Sequence, residues 1–379
     1  MGLFESIFGR QPKVNATEYF RTLTAYQPTF TSHKGGLYEM DATRSAIHAV
    51  ATHCSKLKPH ANGSAAQKYK QMLLYRPNPW QTTSQFLYRL ATILEVENTA
   101  FIVPIYNEFG TVVGLYPVLP QRVQLVKAGN NQLYLRYEFA SGQYAAVEYA
   151  ACGVMTKMQY ADDIFGANNN AIAPTLDLLS VQNQGITEGI KSAAAIRFMA
   201  KLGSTLRPED LKKEQENFRK LNFASDNNGG VLMFDQKYAE VKQIDSKPYI
   251  VDAEQMKLID NNVYNYFGVS ESILRNEWNE ETWTAFYEGK IEPFAIQLSL
   301  VLSTMLFSER ELANGNEILF SANRLQFTST TVKVNIITQL FDRGMLSTNE
   351  AREILQMNPI ENGDNYMIRG EYVDRKERE

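Results

Sequence analysis

The sequence predicts an α+β chain of more than one packed unit. Three observations carry this expectation. At 379 residues the chain passes the size at which a single hydrophobic core stops growing. Short β-type runs separated by turn residues cluster between Thr99 and Met158. Apolar stripes at helical spacing occupy most of the remainder. Hydrophobic residues make up 44% and charged residues 21%, which excludes wholesale disorder and collagen-like or mucin-like chains. The net charge is −4 and no five like charges are consecutive, so nucleic acid would be met loosely rather than gripped.

Residues 1–40 lack a sustained pattern and are expected to form an arm. Asp41 opens an amphipathic helix with Ile47, Val50 and Leu57 on its stripe, ended by Pro59 and Asn62-Gly63. Arg76-Pro77-Asn78-Pro79-Trp80 is a rigid turn, because its two prolines fix φ. A helix over Ser84–Leu94, capped by Thr82 or Thr83, carries Phe86, Leu87 and Leu90. Five strands follow, Ala100–Tyr106, Val112–Leu119, Arg122–Lys127, Gln132–Phe139 and Gly153–Gln159, read as one antiparallel meander. Asp162–Asn170 is a polar Gly/Asn linker.

One long helix is expected from Ile172 to Lys201, about 45 Å at 1.5 Å per residue, with Gly185 and Gly189 marking close packing. Pro208-Glu209-Asp210 starts a short charged helix to Leu221. A turn at Asp226–Gly230 precedes a hairpin of Val231–Asp235 with Tyr238–Ile244. Asp252 caps a helix to Phe267, stopped by Gly268. An apolar helix over Glu281–Phe307 is expected to kink at Gly289 and Pro293. A strand pair spans Ile318–Phe327, helices cover Thr330–Phe341 and Thr348–Gln356, and a charged tail begins at Glu371. There is no internal repeat.

The chemistry-bearing residues are sparse. His33, His48, His53 and His60 fall in one stretch with Cys54, but without metal-ligand spacing, and they read as ordinary, partly exposed side chains. No phosphate-cradling loop, nucleophile elbow or zinc motif occurs, and no histidine follows residue 60. No catalytic residue, metal or cofactor is expected. Two cysteines fit a reducing compartment. The start of the chain lacks a basic, apolar leader, and Phe294–Phe307 is too interrupted to span a bilayer, so the chain reads as soluble, without membrane contact. Leu3, Phe4, Ile7 and Phe8 read as a docking strip in preference to a myristoylation signal. The sequons at Asn15 and Asn62 carry no meaning in a chain that is not secreted. The acidic segment Asn276-Glu277-Trp278-Asn279-Glu280-Glu281-Thr282 reads equally as a surface loop with one aromatic anchor or as a loop presented to a ligand or lumen.

The order of segments resembles the portal proteins of tailed bacteriophages of the HK97-like family. The residues that carry the resemblance are Leu74-Tyr-Arg-Pro-Asn-Pro79, Glu97-Asn-Thr-Ala-Phe101, Leu115–Val123, the helix from Ile172, Pro208–Leu211 and Gly229–Asp235. Most telling is Asp252–Leu274, closing in Phe267-Gly-Val-Ser-Glu-Ser-Ile-Leu274; Phe286-Tyr287 with Pro293, Asn349–Leu355 and Pro359–Asp364 follow. The chain departs from the family in two places. Glu97 stands where a glycine is usual, and Val269-Ser270-Glu271 replaces a Val-Pro-Pro stretch, leaving the next loop less rigid.

The resemblance implies a portal-type subunit: arm 1–40, mixed α/β wing 41–170, antiparallel helical stem 171–201 and 251–275, and small α/β clip 202–250. A channel loop, kinked helix and wing return over 276–327 and a helical crown with tail over 328–379 complete it. It implies a ring, typically of twelve subunits, at one vertex of the virion capsid, assembled in the bacterial host cytoplasm, through which double-stranded DNA is packaged and ejected. Implied partners are other copies of the chain, the terminase large subunit, the major capsid protein and scaffold, and a head–tail adaptor. Residues 276–282 would line the channel, and Glu209, Asp210, Lys212, Lys213 and Glu216 would dock partners on the clip. Trp278 would brace its loop against a neighbouring subunit or brush the duplex. The alternatives are another ring-forming head–tail connector or, further off, a nucleic-acid-processing enzyme.

Overall fold

The structure, a computed structural model, describes residues 21–25, 36–128, 132–138, 142, 144–194, 197–202, 207, 209–210, 212–213, 216–217, 238–244, 253–321, 330–355 and 357–369. The N-terminal docking strip, the 226–230 turn, the strand at 231–235 and the tail from Glu371 lie outside them. Two compact units are present: Met1–Asp177 with Ile259–Glu379, and Leu178–Leu258. The architecture mixes helix and strand, as the segment pattern predicts.

In the larger unit, strand β1 (Arg21–Ala25) falls in the expected arm and pairs with a later strand. Helix α1 (Asp41–Cys54) buries Ala46, Ile47, Val50 and Cys54. It ends at Cys54, because the chain then turns into β2 (Lys58–Asn62). Helix α2 (Gln67–Tyr75) has no counterpart in the sequence reading; its apolar residues bury only Tyr69 and Leu73, too thin a stripe to stand out. Helix α3 (Thr83–Glu97) has the capping box that Thr82 offers, with Gln85 as its reciprocal partner. Its end is set by Asn98 in the left-handed region at φ 55, one residue after Glu97, which stands where the family usually has glycine.

Strands β3 (Thr99–Tyr106), β4 (Val112–Val118), β5 (Val123–Lys127), β6 (Leu133–Glu138), β7 (Tyr144–Glu148) and β8 (Gly153–Thr156) form two sheets, not the single meander expected. One has the order β4-β3-β8 and the other β1-β5-β6-β7, all antiparallel. The break has a local cause. Pro120 opens a 3-10 turn after β4, and with no N–H it cannot extend the ladder; a second such turn, Tyr149–Ala151, returns the chain to the first sheet. Phe101, Val103 and Val118 from one sheet share a buried cluster with Val123, Leu135, Tyr137 and Val147 from the other. The expected linker after β8 is packed: Phe165 and Asn169 are buried.

Helix α4 (Ala173–Ala194) is shorter than expected, because residues 197–202 form strand β9 (Arg197–Leu202) instead of a last helical turn and a half. β9 pairs antiparallel with β10 (Tyr238–Ile244). Among the described residues β9 is the partner of Tyr238–Ile244, and the expected pairing with Val231–Asp235 lies outside them. Long-range pairing overrides helix propensity here. Helix α5 (Ala253–Tyr266) is stopped by Gly268 at φ +68, as predicted.

After α5 come α6 (Glu271–Leu274), α7 (Glu280–Phe286), a π-helical turn (Tyr287–Ile291) and α8 (Glu292–Leu306). Helix α9 (Glu309–Ala313) leads to β11 (Glu317–Ser321), which pairs with β2; the second strand of the expected pair lies in residues 322–329, outside the described residues. Helix α10 (Thr330–Asp342), strand β12 (Arg343–Ser347), helix α11 (Thr348–Ile354) and strand β13 (Tyr366–Ile368) complete the unit, with β12 and β13 paired. Neither strand is visible in the sequence pattern. Among the described residues, no helix is long and apolar enough to cross a membrane.

The serines that interrupt the apolar run of α8 have a structural task. Ser299 and Ser303 are buried, and their hydroxyls accept from the backbone N–H of Phe320 (2.8 Å) and Ile318 (2.9 Å). Four helical residues rise about 6 Å and two strand residues about 6.6 Å, so i,i+4 hydroxyls match alternate strand amides. The helix thus satisfies the outer edge of β11. Ser299→Ala and Ser303→Ala are each expected to cost about 1–3 kcal/mol by leaving a buried N–H unpaired; urea unfolding of the two variants measures it.

Candidate functional site

The acidic segment is built on fixed backbone. After Gly268, the Val269 amide donates to Tyr264 O (2.9 Å), and Ser270 precedes α6. Arg275 and Glu271 form an i,i+4 ion pair at 2.6 Å. Asn276 takes φ 59, and the Glu277 amide donates back to Ser272 O at 2.9 Å. Asn279 and Thr282 then form a reciprocal capping box: the Thr282 amide donates to Asn279 Oδ1 (2.8 Å) and the Asn279 amide to Thr282 Oγ1 (3.0 Å). The loop expected to be slack without Val-Pro-Pro is held by asparagine chemistry instead. Glu280 and Glu281 begin the helix rather than end the loop, where the helix dipole favours their charge. Glu277, Glu280 and Glu281 are all exposed.

Trp278 is braced within its own chain. Its ring lies 5.6 Å from Trp283 and 5.7 Å from His53 on α1. His53 also meets Trp283 at 4.7 Å and Phe286 at 5.5 Å. The histidine is therefore buried, with 6% exposure, not partly exposed as its sequence setting suggests. Three aromatic rings from α7 and its lead-in enclose it, a site that the 283/286 spacing hints at and that α1 gives no sign of. Burial, helped by the nearby Lys56 ammonium, lowers its pKa to about 4, and Lys56 Nζ donates to Nδ1 at 3.4 Å, which requires the neutral ring.

The predicted kink is a π-helical turn. Pro293 would drive its ring into the carbonyl four residues earlier, that of Gly289, and a wider turn relieves this clash. Gly289 has open space around it. Lys290 in this turn reaches the buried Glu95 of α3 at 3.1 Å, and Lys157 reaches it from the residue after β8. Burial holds the Lys157 pKa below its ordinary value although Glu95 opposes the shift.

Glu209, Asp210, Lys212, Lys213 and Glu216, expected to dock partners, have helical backbone and exposed side chains in the smaller unit. Cys54 and Cys152 are free thiols whose pKa values burial raises, Cys152 to about 12, so neither is a ready nucleophile. Among the described residues no cluster of three His, Cys, Asp or Glu could hold a metal.

Because His53 is neutral in the folded chain, its contribution to stability is full above pH 6.5 and is lost as pH falls toward about 4. The thermal midpoint of the wild type is expected to fall more steeply over that interval than that of His53→Phe, whose ring suits the aromatic box. Calorimetry at stepped pH measures the difference.

The fold has counterparts among known proteins. The family model for phage portal proteins matches residues 41–356. The neck of a native gene transfer agent particle, computed with C12 symmetry, is similar over 90% of this chain and 96% of its own, at 16% identity and a TM-score of 0.62. The virion of the native gene transfer agent is similar over 86% and 92%, at 16% identity and 0.60. An HK97 family phage portal protein from Corynebacterium diphtheriae covers 79% of this chain and 98% of its own at 14% identity and 0.49. No curated protein matches. The structural likenesses speak to the fold alone, whereas the family model spans most of the sequence, and on that match the chain belongs to the phage portal protein family.

Proposed function

We propose that this chain assembles into a ring of twelve copies at one vertex of a virion, where double-stranded DNA passes during packaging and ejection. The family match over residues 41–356 carries the reading. The C12 symmetry of the gene transfer agent neck supports the copy number. The ring would contact the major capsid protein and scaffold, and its clip would receive the terminase large subunit and later a head–tail adaptor. The subunit works as a conduit and docking platform, with no chemistry of its own. Assembly in the host cytoplasm follows from the same reading.

Residues 276–282 would face the lumen. Three exposed carboxylates per chain on a rigid segment, repeated round a ring, repel phosphates within a Debye length of about 8 Å. That favours sliding, since each tight phosphate contact would have to be broken by the motor.

Native mass spectrometry is expected to give a closed ring for the wild type and for the triple variant Glu277→Lys, Glu280→Lys, Glu281→Lys, with slower DNA packaging by the variant, most visibly at low salt. A monomer alone sinks the ring, and unchanged packaging removes the segment from the channel. Lys212→Glu with Lys213→Glu is expected to weaken terminase binding while rings persist; rings lost with binding kept would make that helix an intersubunit element.

A further inference from the structure

Between Ala42 and Leu94 the sequence holds no aspartate or glutamate, yet it carries seven lysines and arginines. In a chain of net charge −4 this is a local reversal of sign. Some of these cations are answered within the chain. Lys58 lines a small cleft with Glu350 and Glu353, and Lys68 acts on the Glu311 carboxyl. Lys70 and Arg76, on α2 and just after it, are exposed and have no acidic partner among the described residues.

Exposed aromatic rings flank Arg76 in the sequence. Tyr75 is 62% exposed and Trp80 47%. Trp80 meets Tyr116 of β4 edge-on at 5.7 Å. Arg89 of α3 lies 5.0 Å over the Tyr116 ring and donates to its hydroxyl at 3.2 Å. The turn that presents Trp80 is pinned. The Leu115 amide donates to Pro77 O at 2.7 Å, Asn78 Nδ2 donates to Leu115 O at 3.0 Å, and the Trp80 amide donates to Asn78 Oδ1 at 3.1 Å. A side chain already held in place loses little freedom on binding.

We propose that the surface of Lys70, Tyr75, Arg76, Trp80 and the Arg89–Tyr116 pair docks an acidic segment of a second protein. Its carboxylates would meet Arg76 and Lys70, and an apolar side chain would lie against Trp80 and Tyr75. Trp, Tyr and Arg are the residue types that dominate protein–protein hot spots. A DNA duplex fits less well: two free cationic heads neutralise few phosphates, and the remainder of the chain is more acidic than the whole. The inference goes beyond the conduit reading and holds whether or not a ring forms.

The test is fluorescence anisotropy of a labelled peptide alternating glutamate with tyrosine and leucine, titrated with the full chain at about 0.1 M salt. Saturable binding is expected, weakened at least ~10-fold by Trp80→Ala and by Arg76→Glu with unchanged circular dichroism. Tyr160→Ala, at an exposed aromatic elsewhere, should leave binding intact. Four results overturn the proposal: no saturable binding, binding indifferent to both substitutions, equal competition by a DNA duplex with a steep salt dependence, or a native mass altered by Arg76→Glu, which would mark an interface between copies. A wild-type chain that binds the peptide but forms no ring would sink the conduit reading and leave this one standing.

Discussion

The carboxylate of Glu95, 5% exposed near the end of α3, ties together the elements on which the rest of the larger unit depends. Lys157, following β8, and Lys290, in the π-helical turn, both reach it. A buried charge left alone costs several kcal/mol, whereas one held by two partly screened ammonium groups is tolerable. The three-way contact therefore constrains the position of α3, the exit of the first sheet and the helix that carries the acidic segment relative to one another. One carboxylate does the work of a local core where polar backbone converges.

The same helix end shows why a polar stretch becomes structure. The last carbonyls of a helix have no partner inside it. Asn169 supplies one: its Nδ2 donates to Val96 O at 2.7 Å and Glu95 O at 3.3 Å, while its Oδ1 accepts from Asn98 and from the Tyr266 hydroxyl, at 2.8 and 2.7 Å. Gly166 passes so close that a Cβ would lie 2.4 Å from Asn98 O and 2.3 Å from Lys157 O. Asp162 Oδ1 accepts from the amides of Ile164 and Phe165. What composition reads as a linker is a wedge that closes a helix terminus and joins it to the end of α5.

The acidic segment inherits its rigidity from these neighbours. Its base is fixed by the π-helical turn and Lys290, its tip by the Asn279–Thr282 box, and its side by the aromatic enclosure of His53. With Trp278 packed against His53 and Trp283, the exposed residues of the segment are Glu277, Glu280 and Glu281 together with Asn276 and Asn279.

Local codes were enough for the sequence to specify helix ends and turns: Thr82 before α3, Gly268 after α5, Pro77 and Pro79 in the pinned turn, and the irregularity that Pro293 forces four residues upstream. These depend on backbone geometry within a few residues, which the residue types there decide. Partnerships between distant segments were not legible. β2 pairs with β11 some 250 residues away, β9 takes its residues from a run with helical spacing, and Ser299 and Ser303 look like flaws in an apolar helix until β11 lies beside them. His53 and Glu95 likewise acquire their character from rings and ammonium groups brought by other elements. Burial and pairing are properties of the assembled chain, so only the tertiary structure could decide them.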